Sequence, residues 1–165
     1  MQVTFYGVRG STPCHGEGTH RYGGNTSCVS VDAPGEQPLL LDMGTGLRYF
    51  GKRLPVDELF RGSCLLTHLH WDHVQGLPFF APLLREGSSL DVYGPAQDDG
   101  RSLAEVVSYT IRPPLFPVSV DDAYDRVLVT PLPDIFSRRF LVISPITSVE
   151  GQDGVWGTSV GQTRT

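Results

Sequence analysis

The sequence predicts an α+β domain in which helices cover a β-sheet, and two observations carry this prediction. Strand-like and helix-like segments alternate over the first 112 residues, which is typical of mixed domains with helices packed on sheet faces. The chain has 165 residues, 39% of them hydrophobic and 19% charged, and this size and composition suit one globular domain.

The predicted strands are short apolar or alternating segments bounded by turn residues. The first alternates between apolar and polar residues, and the third is an apolar run that ends in Asp-Met-Gly. Turn residues at 34–37 make the second and third strands an antiparallel hairpin. The predicted strands are 2–8, 28–33, 38–44, 61–70 and 89–95.

The predicted helices follow from apolar spacing and from prolines. Residues 45–54 place apolar side chains three and four apart, which is typical of a short amphipathic helix. Residues 72–86 are predicted as a helix interrupted at Pro78, and residues 100–111 as a helix that ends before Pro113. Residues 9–27 are rich in Gly, Ser and Thr, and loops of this length are usually functional or mobile.

Charge and hydropathy exclude several classes of function. The net charge of −5 argues against broad electrostatic binding of nucleic acid, although a small phosphate-bearing substrate stays compatible with a local metal site. No apolar run approaches the roughly 18 residues that a spanning helix needs, so no membrane partner is expected. The first residues show no secretion signal, and we expect a cytoplasmic protein. The three widely spaced cysteines do not indicate a disulfide framework.

The segment THLHWDHVQG, residues 67–76, concentrates three of the five histidines and one aspartate. His68 and His70 are two apart, so at the end of an extended strand they project to the same side and can reach one metal ion. Asp72 and His73 follow at the turn into a helix and can serve a second, neighbouring ion. These ligands suit Zn²⁺, with Mn or Fe as alternatives, and two such ions can activate a bridging water for hydrolysis.

The same segment resembles the His-x-His-x-Asp-His motif of the metallo-β-lactamase superfamily. The flanking segments FYGVRGSTP, YGGNTSCVSV and LLLDMGTGL resemble the N-terminal half of its phosphodiesterase-like branch, which includes tRNA 3′-processing nucleases and cyclic-phosphate phosphodiesterases. The resemblance covers roughly residues 2–118. It implies an αββα sandwich of two sheets with outer helices, here incomplete at the C-terminus, and a site for two zinc ions.

The resemblance also implies a role for individual residues. His68 and His70 would bind the first ion, and Asp72 and His73 would lie near the second. Asp72 would also act as general base or orient the attacking water. Asp42, just before the glycine turn, would position a ligand histidine from behind, with a turn or helix-cap aspartate as the alternative.

Two residues of the long loop are candidates for substrate contact, because this loop is expected to approach the site. Arg9 could bind a phosphate through its planar guanidinium, or be an ordinary surface arginine. Asn25 is a second candidate in the same loop.

The later metal ligands that the resemblance implies do not follow in this sequence. No histidine follows His73, although the resemblance implies further histidine and aspartate ligands from the second half of the domain. We therefore expect residues 1–122 to be the N-terminal part of a metallo-hydrolase domain and residues 123–165 to be an atypical tail. The tail is explained either by a truncated or frame-shifted chain or by a short variant that completes its site in a dimer or with fewer ligands.

Two hypotheses for function follow. The first is a metal-dependent hydrolase, a phosphodiesterase acting on a small phosphodiester, with thioesters, lactams and lactones as alternative substrates of the same scaffold. A nucleic-acid substrate follows from the resemblance alone. The second is a catalytically defective metal-binding fragment of such a hydrolase, whose uncovered sheet face favours association.

Overall fold

The computed structural model describes residues 1–95, 97–117 and 119, and the backbone of residues 127–131. The strands of these residues form one mixed sheet of six strands that follow one another in chain order. The strands are β1 (Gln2–Gly7), β2 (Cys28–Asp32), β3 (Leu39–Leu41), β4 (Arg61–Leu65), β5 (Ser89–Gly94) and β6 (Val127–Pro131).

The sheet changes from antiparallel to parallel at β3. β1, β2 and β3 pair antiparallel, which confirms the predicted hairpin, whereas β3, β4, β5 and β6 pair parallel. The parallel strands need long crossover connections, and the helices lie in these connections. They are α1 (Leu47–Arg53), α2 (Trp71–Val74) and α3 (Leu103–Thr110).

The helices cover one face of the sheet and form the core with it. Leu40, Cys64 and Val92 lie side by side on β3, β4 and β5, and all three are fully buried. An aromatic cluster packs nearby, with the Phe60 and Phe80 ring centroids 4.9 Å apart in an edge-to-face arrangement. Removal of this apolar surface from water is the main favourable contribution to folding.

The opposite face of the sheet also carries a row of apolar side chains. Its central row runs across five strands in register, from Phe5 through Val29, Leu41 and Leu65 to Tyr93. The side chain of Phe5 is 68% exposed, and the other four are partly buried. A sheet with apolar side chains on both faces is typical of the middle of a layered domain.

The predicted strand 61–70 is wrong in its second half. β4 ends at Leu65, and the amide of Leu66 still donates to the carbonyl of Tyr93. The next amide, that of Thr67, donates instead to the carboxylate of Asp42. The backbone therefore leaves the sheet before the histidines, and His68 and His70 lie in an irregular segment rather than at a strand end.

The predicted helix over residues 72–86 is also wrong. α2 has four residues, and two separate 3₁₀ turns follow it, Leu77–Phe79 and Ala81–Leu84. Each turn has a proline in its first two positions, Pro78 and Pro82. Because proline lacks the amide hydrogen that an interior helical residue donates, each proline starts a new turn instead of extending the old one.

The other helix predictions agree with the structure within a few residues. α3 begins where Ser102 accepts a hydrogen bond from the Glu105 amide and the Glu105 carboxylate accepts one from the Ser102 amide, a reciprocal cap that favours a helix start. β6 lies within the residues predicted as an atypical tail, and residues 132–165 lie outside the described residues. The division at residue 122 therefore stays a prediction. Within the described residues, no helix has the length and apolar character that a membrane crossing requires.

Candidate metal centre

The four side chains of the His-x-His-x-Asp-His motif lie together between the end of β4 and α2. The ring centroid of His68 lies 4.4 Å from that of His70 and 4.1 Å from that of His73. The Nε2 atom of His73 lies 3.3 Å from Oδ2 of Asp72. His70 is exposed to solvent, so this histidine cluster is open on one side.

Asp42, at the end of β3, supports the cluster from behind. Its Oδ2 atom accepts a hydrogen bond from Nδ1 of His73 at 2.8 Å and another from the Ser27 hydroxyl at 3.0 Å. Its Oδ1 atom accepts from the amide and the hydroxyl of Thr67, at 2.8 and 2.9 Å. These contacts hold the His73 ring in one orientation and leave its Nε2 atom for another partner.

The backbone at Asp42 has an unusual conformation. Its φ of 61° lies in the left-handed region that residues other than glycine rarely adopt. The conformation is held from both sides, because the Asp42 amide donates to the carbonyl of Leu65 and the Met43 amide donates to the carbonyl of His73. Backbone strain of this kind, about 1–3 kcal/mol, often marks a functional site.

The environment moves the pKa values of two histidines in opposite directions. Burial lowers the pKa of His68, and the neighbouring rings of His73 and His70 lower it further. Burial also lowers the pKa of His73, but the hydrogen bond and charge of Asp42, together with the charge of Asp72, more than offset this, and the pKa is raised. A neutral His68 has a free nitrogen lone pair, which is the form that binds metals.

The donor set of this cluster fits a metal, although its present geometry is not that of a finished site. Imidazole nitrogens and a carboxylate are ligands that zinc prefers. Yet in the part of the chain that the structure describes, no group of three or more His, Cys, Asp or Glu side chains is arranged to hold a metal ion as it stands.

The long loop reaches the cluster through a residue that the sequence did not single out. The amide of Ser11 donates to Oδ2 of Asp72 at 2.8 Å. Neither this contact nor the role of Thr67 against Asp42 has a signal in the spacing of the sequence, because both depend on distant segments meeting. The expectation that the loop approaches the cluster agrees with this contact.

The two loop candidates have different surroundings. The side-chain oxygen of Asn25 accepts a hydrogen bond from the Thr45 hydroxyl. The backbone carbonyl of Asn25 accepts hydrogen bonds from the amides of Val8 and Arg9. These contacts hold the loop itself. Asn25 also lines a cavity of about 380 Å³ with Cys14, His15 and Tyr49, among others. The Nε atom of Arg9, in contrast, is buried and has no hydrogen-bond partner.

Comparisons of the sequence with known proteins find relatives that are named Ribonuclease Z. The chain is 32% identical over 148 residues to a Ribonuclease Z of Natronomonas pharaonis, a match that covers 85% of the chain and 43% of that relative. It is 37% identical over 101 residues to a Ribonuclease Z of Synechococcus sp. strain CC9311, a match that covers 58% of the chain and 29% of that relative. The chain thus spans less than half the length of these relatives. No family model matches it.

Solved structures share the fold. Zn²⁺-bound PqqB from Methylobacterium extorquens superposes with a TM-score of 0.51 at 22% identity, covering 81% of the chain and 50% of that structure. A diphosphatase from the PhnP family superposes with a TM-score of 0.51 at 18% identity, covering 79% of the chain and 50% of that structure. The fold is therefore that of the metallo-β-lactamase-like proteins. The chain belongs to the metallo-β-lactamase superfamily and matches part of the length of these relatives.

Proposed function

We propose that this chain carries the catalytic motif of a metal-dependent phosphodiesterase. The observation that supports the proposal best is the histidine cluster, in which three imidazoles and the Asp72 carboxylate meet and His73 is oriented by Asp42. The relatives named Ribonuclease Z support a phosphodiester substrate for this chain as well.

The proposed ligands are those of the motif. His68 and His70 would hold one ion, and Asp72 and His73 would hold the second. Zinc is the proposed metal, with Mn or Fe as alternatives. When bound, the metal supplies a water of lowered pKa and positive charge close to the phosphoryl oxygens.

The residues of the chain would prepare the site for this chemistry. Asp42 keeps the proton of His73 on Nδ1, so that Nε2 presents its lone pair. Ser11 holds Oδ2 of Asp72, and the other carboxylate oxygen stays available to orient the attacking water or to accept its proton. The exposed side of the cluster at His70 gives the substrate access.

Two kinds of phosphodiester fit the proposal. The net charge of −5 favours a small substrate over a long polyanion. The names of the relatives favour an RNA phosphodiester. Turnover of bis-(p-nitrophenyl) phosphate tests the chemistry in either case, and cleavage of a tRNA precursor with a 3′ extension separates the two.

The test combines metal content with turnover. After dialysis against a weak chelator, we expect close to two zinc ions per chain by elemental mass spectrometry, and fewer in Asp72→Ala. Exhaustive chelation should abolish turnover of bis-(p-nitrophenyl) phosphate, and added zinc should restore it. Asp57→Ala is the matched control, because Asp57 is exposed and lies outside the cluster. Turnover that survives complete removal of metal would refute the proposal.

A second candidate function has one observation in its favour. Because no three donor side chains among the described residues form a finished cation site, the chain by itself could bind one metal weakly and catalyse nothing. This candidate predicts a folded protein with almost no metal after dialysis and no turnover at any zinc concentration. Two bound ions together with turnover would exclude it.

A further inference from the structure

A short segment of the long loop is fixed against the histidine cluster. The amides of Val8 and Arg9 both donate to the carbonyl of Asn25, at 3.0 and 2.9 Å, and Arg9 forms an isolated bridge with Thr26. Two residues later, the Ser11 amide donates to Asp72 at 2.8 Å. Ser11 has a φ of 65°, a left-handed conformation, so this contact is held against the preference of the residue. The segment is therefore anchored at both ends.

The side chain of Arg9 is the unusual feature of this segment. Its Nε atom is buried, and it has no hydrogen-bond partner. Among the described residues, the carboxylates that form ion pairs are bound by other groups, Asp42 and Asp72 by His73, and Asp99 by Arg101. A buried donor of a charged group without a partner is unfavourable, and such groups in proteins usually have a ligand, an ion or a water as partner.

Chain geometry brings the Arg9 guanidinium within reach of the cluster. Consecutive Cα atoms are about 3.8 Å apart, so the Cα atom of Arg9 lies no more than about 7.6 Å from that of Ser11. The Ser11 amide in turn contacts the Asp72 carboxylate directly. An extended arginine side chain covers a comparable distance, so its guanidinium can contact a ligand that lies on the cluster.

We propose that Arg9 binds the non-bridging phosphoryl oxygens of the substrate and selects an anionic phosphodiester over a neutral lactone or thioester. The inference rests on the proposed function of the cluster and names the group that would recognise its substrate. The guanidinium is planar and always charged, and it offers parallel donors that match two phosphate oxygens, which a carboxylic ester without charge does not provide. The terminal nitrogens of the guanidinium would make this contact.

The first measurement is phosphate binding, which does not depend on turnover. Titration calorimetry with inorganic phosphate should give a Kd about tenfold higher for Arg9→Gln than for the unchanged protein, as expected for the loss of one charged hydrogen-bonding group. Arg9→Lys keeps the charge without the planar fork and should lie between the two. Arg61→Gln is the control, because Arg61 is exposed at the opposite end of β4 from the cluster, and its Kd should not change.

The second measurement is selectivity between substrates. For Arg9→Gln, kcat/KM with bis-(p-nitrophenyl) phosphate should fall at least about tenfold, whereas any hydrolysis of a neutral lactone should change less than about twofold. Circular dichroism of each variant separates loss of the contact from loss of the fold, and Arg9→Lys remains informative if Arg9→Gln does not fold.

The outcomes separate this inference from the proposed function. Phosphate binding that depends on Arg9, in a protein without phosphodiesterase activity, would support the inference and count against the proposed function. Phosphodiester turnover with equal phosphate Kd values in Arg9→Gln, Arg9→Lys and the unchanged protein would overturn the inference and leave the proposed function in place.

Discussion

The Asp42 carboxylate connects β3, the segment after β4, and the cluster. It accepts hydrogen bonds from Ser27, Thr67 and His73, and only 4% of the residue is exposed. A buried carboxylate with these partners cannot be replaced without leaving donors unpaired, which costs about 1–3 kcal/mol for each group. A residue in this position affects both the stability of the fold and the direction in which His73 points.

Asp42→Asn tests the positioning of His73. The amide keeps the size of the carboxylate but loses its charge, so the His73 ring should lose its fixed orientation. We expect zinc affinity to fall about 10- to 100-fold, the usual effect of losing such a partner. Competition with a chromophoric chelator measures the affinity, and Asp57→Asn is the exposed control. Equal affinity in Asp42→Asn and the unchanged protein would contradict this role.

Cys28 gives a prediction for alkaline pH. Burial, together with the nearby charge of Asp42, raises the pKa of its thiol from 9.0 to about 12. Below pH 9 the thiol is protonated in both states, so its contribution to stability is constant. Above pH 9 the unfolded chain releases the proton while the folded chain keeps it, and the free energy of unfolding falls by about 1.4 kcal/mol per pH unit until about pH 12.

Urea titrations at pH 7, 9 and 10.5 under reducing conditions check this expectation. Cys28→Ala should show a smaller loss of stability between pH 9 and 10.5 than the unchanged protein. Part of the loss should persist, because burial also raises the pKa of Cys64. Cys14→Ala is the control, because Cys14 is exposed. The same slope in Cys28→Ala and Cys14→Ala would rule out the proposed contribution of Cys28.

Among the elements, α2 is stabilised by backbone hydrogen bonds to the turn after β3, because it is too short to be stable by itself. It has only four residues, and a helix so short is not stable by itself. The Gly76 amide that follows it donates to the carbonyl of Met43 at 2.8 Å, and the Met43 amide donates to the carbonyl of His73 at 2.7 Å. The turn after β3 therefore fixes the helix that carries Asp72 and His73.

Gly76→Ala should disrupt this arrangement. A Cβ atom at position 76 would lie 2.0 Å from the carbonyl oxygen of Gly44, a backbone atom that cannot move independently of the turn. We expect a loss of about 2–3 kcal/mol in the free energy of unfolding, measured by urea titration. Gly18→Ala is the control, because a Cβ atom there meets no atom within 4 Å. A variant as stable as the control would show that α2 and the turn can separate without cost.

The elements also show where sequence patterns are sufficient. α1 and α3 were predictable because apolar spacing and a following proline are local signals of a helix and of its end. The end of β4 was not, since it depends on Asp42 drawing the Thr67 amide away from the sheet. The predicted helix over residues 72–86 is too long, because Pro78 and Pro82 each begin a separate 3₁₀ turn after the four residues of α2.

At the scale of the whole molecule, the face of the sheet opposite the helices carries the apolar row from Phe5 to Tyr93. Exposed apolar patches of this kind mark surfaces that pack against another layer or another molecule. Phe5 lies at the end of the central row and is the most exposed member of that row. Its contribution to association can therefore be tested without disturbing the core.

Phe5→Ser should reduce self-association, measured by sedimentation velocity over a range of protein concentrations. Its stability should stay within about 1 kcal/mol of the unchanged protein, because Phe5 is 68% exposed and its partner in the strand register is Val29. Val56→Ser is the control, since Val56 is 77% exposed and lies outside the sheet. If both variants associate to the same extent as the unchanged protein, the face opposite the helices does not drive association.

The metal-binding motif, the strands β1 to β5 and the hairpin could be predicted from the sequence. Alternation, turn residues and ligand spacing are local properties. Other features depend on contacts between distant residues. Ser11 meets Asp72 across 61 positions, and Asp42 meets His73 across 31. The orientation of His73, the end of β4 and the buried Nε of Arg9 appear only when folding brings such segments together, because burial and hydrogen-bond partners are properties of the packed molecule.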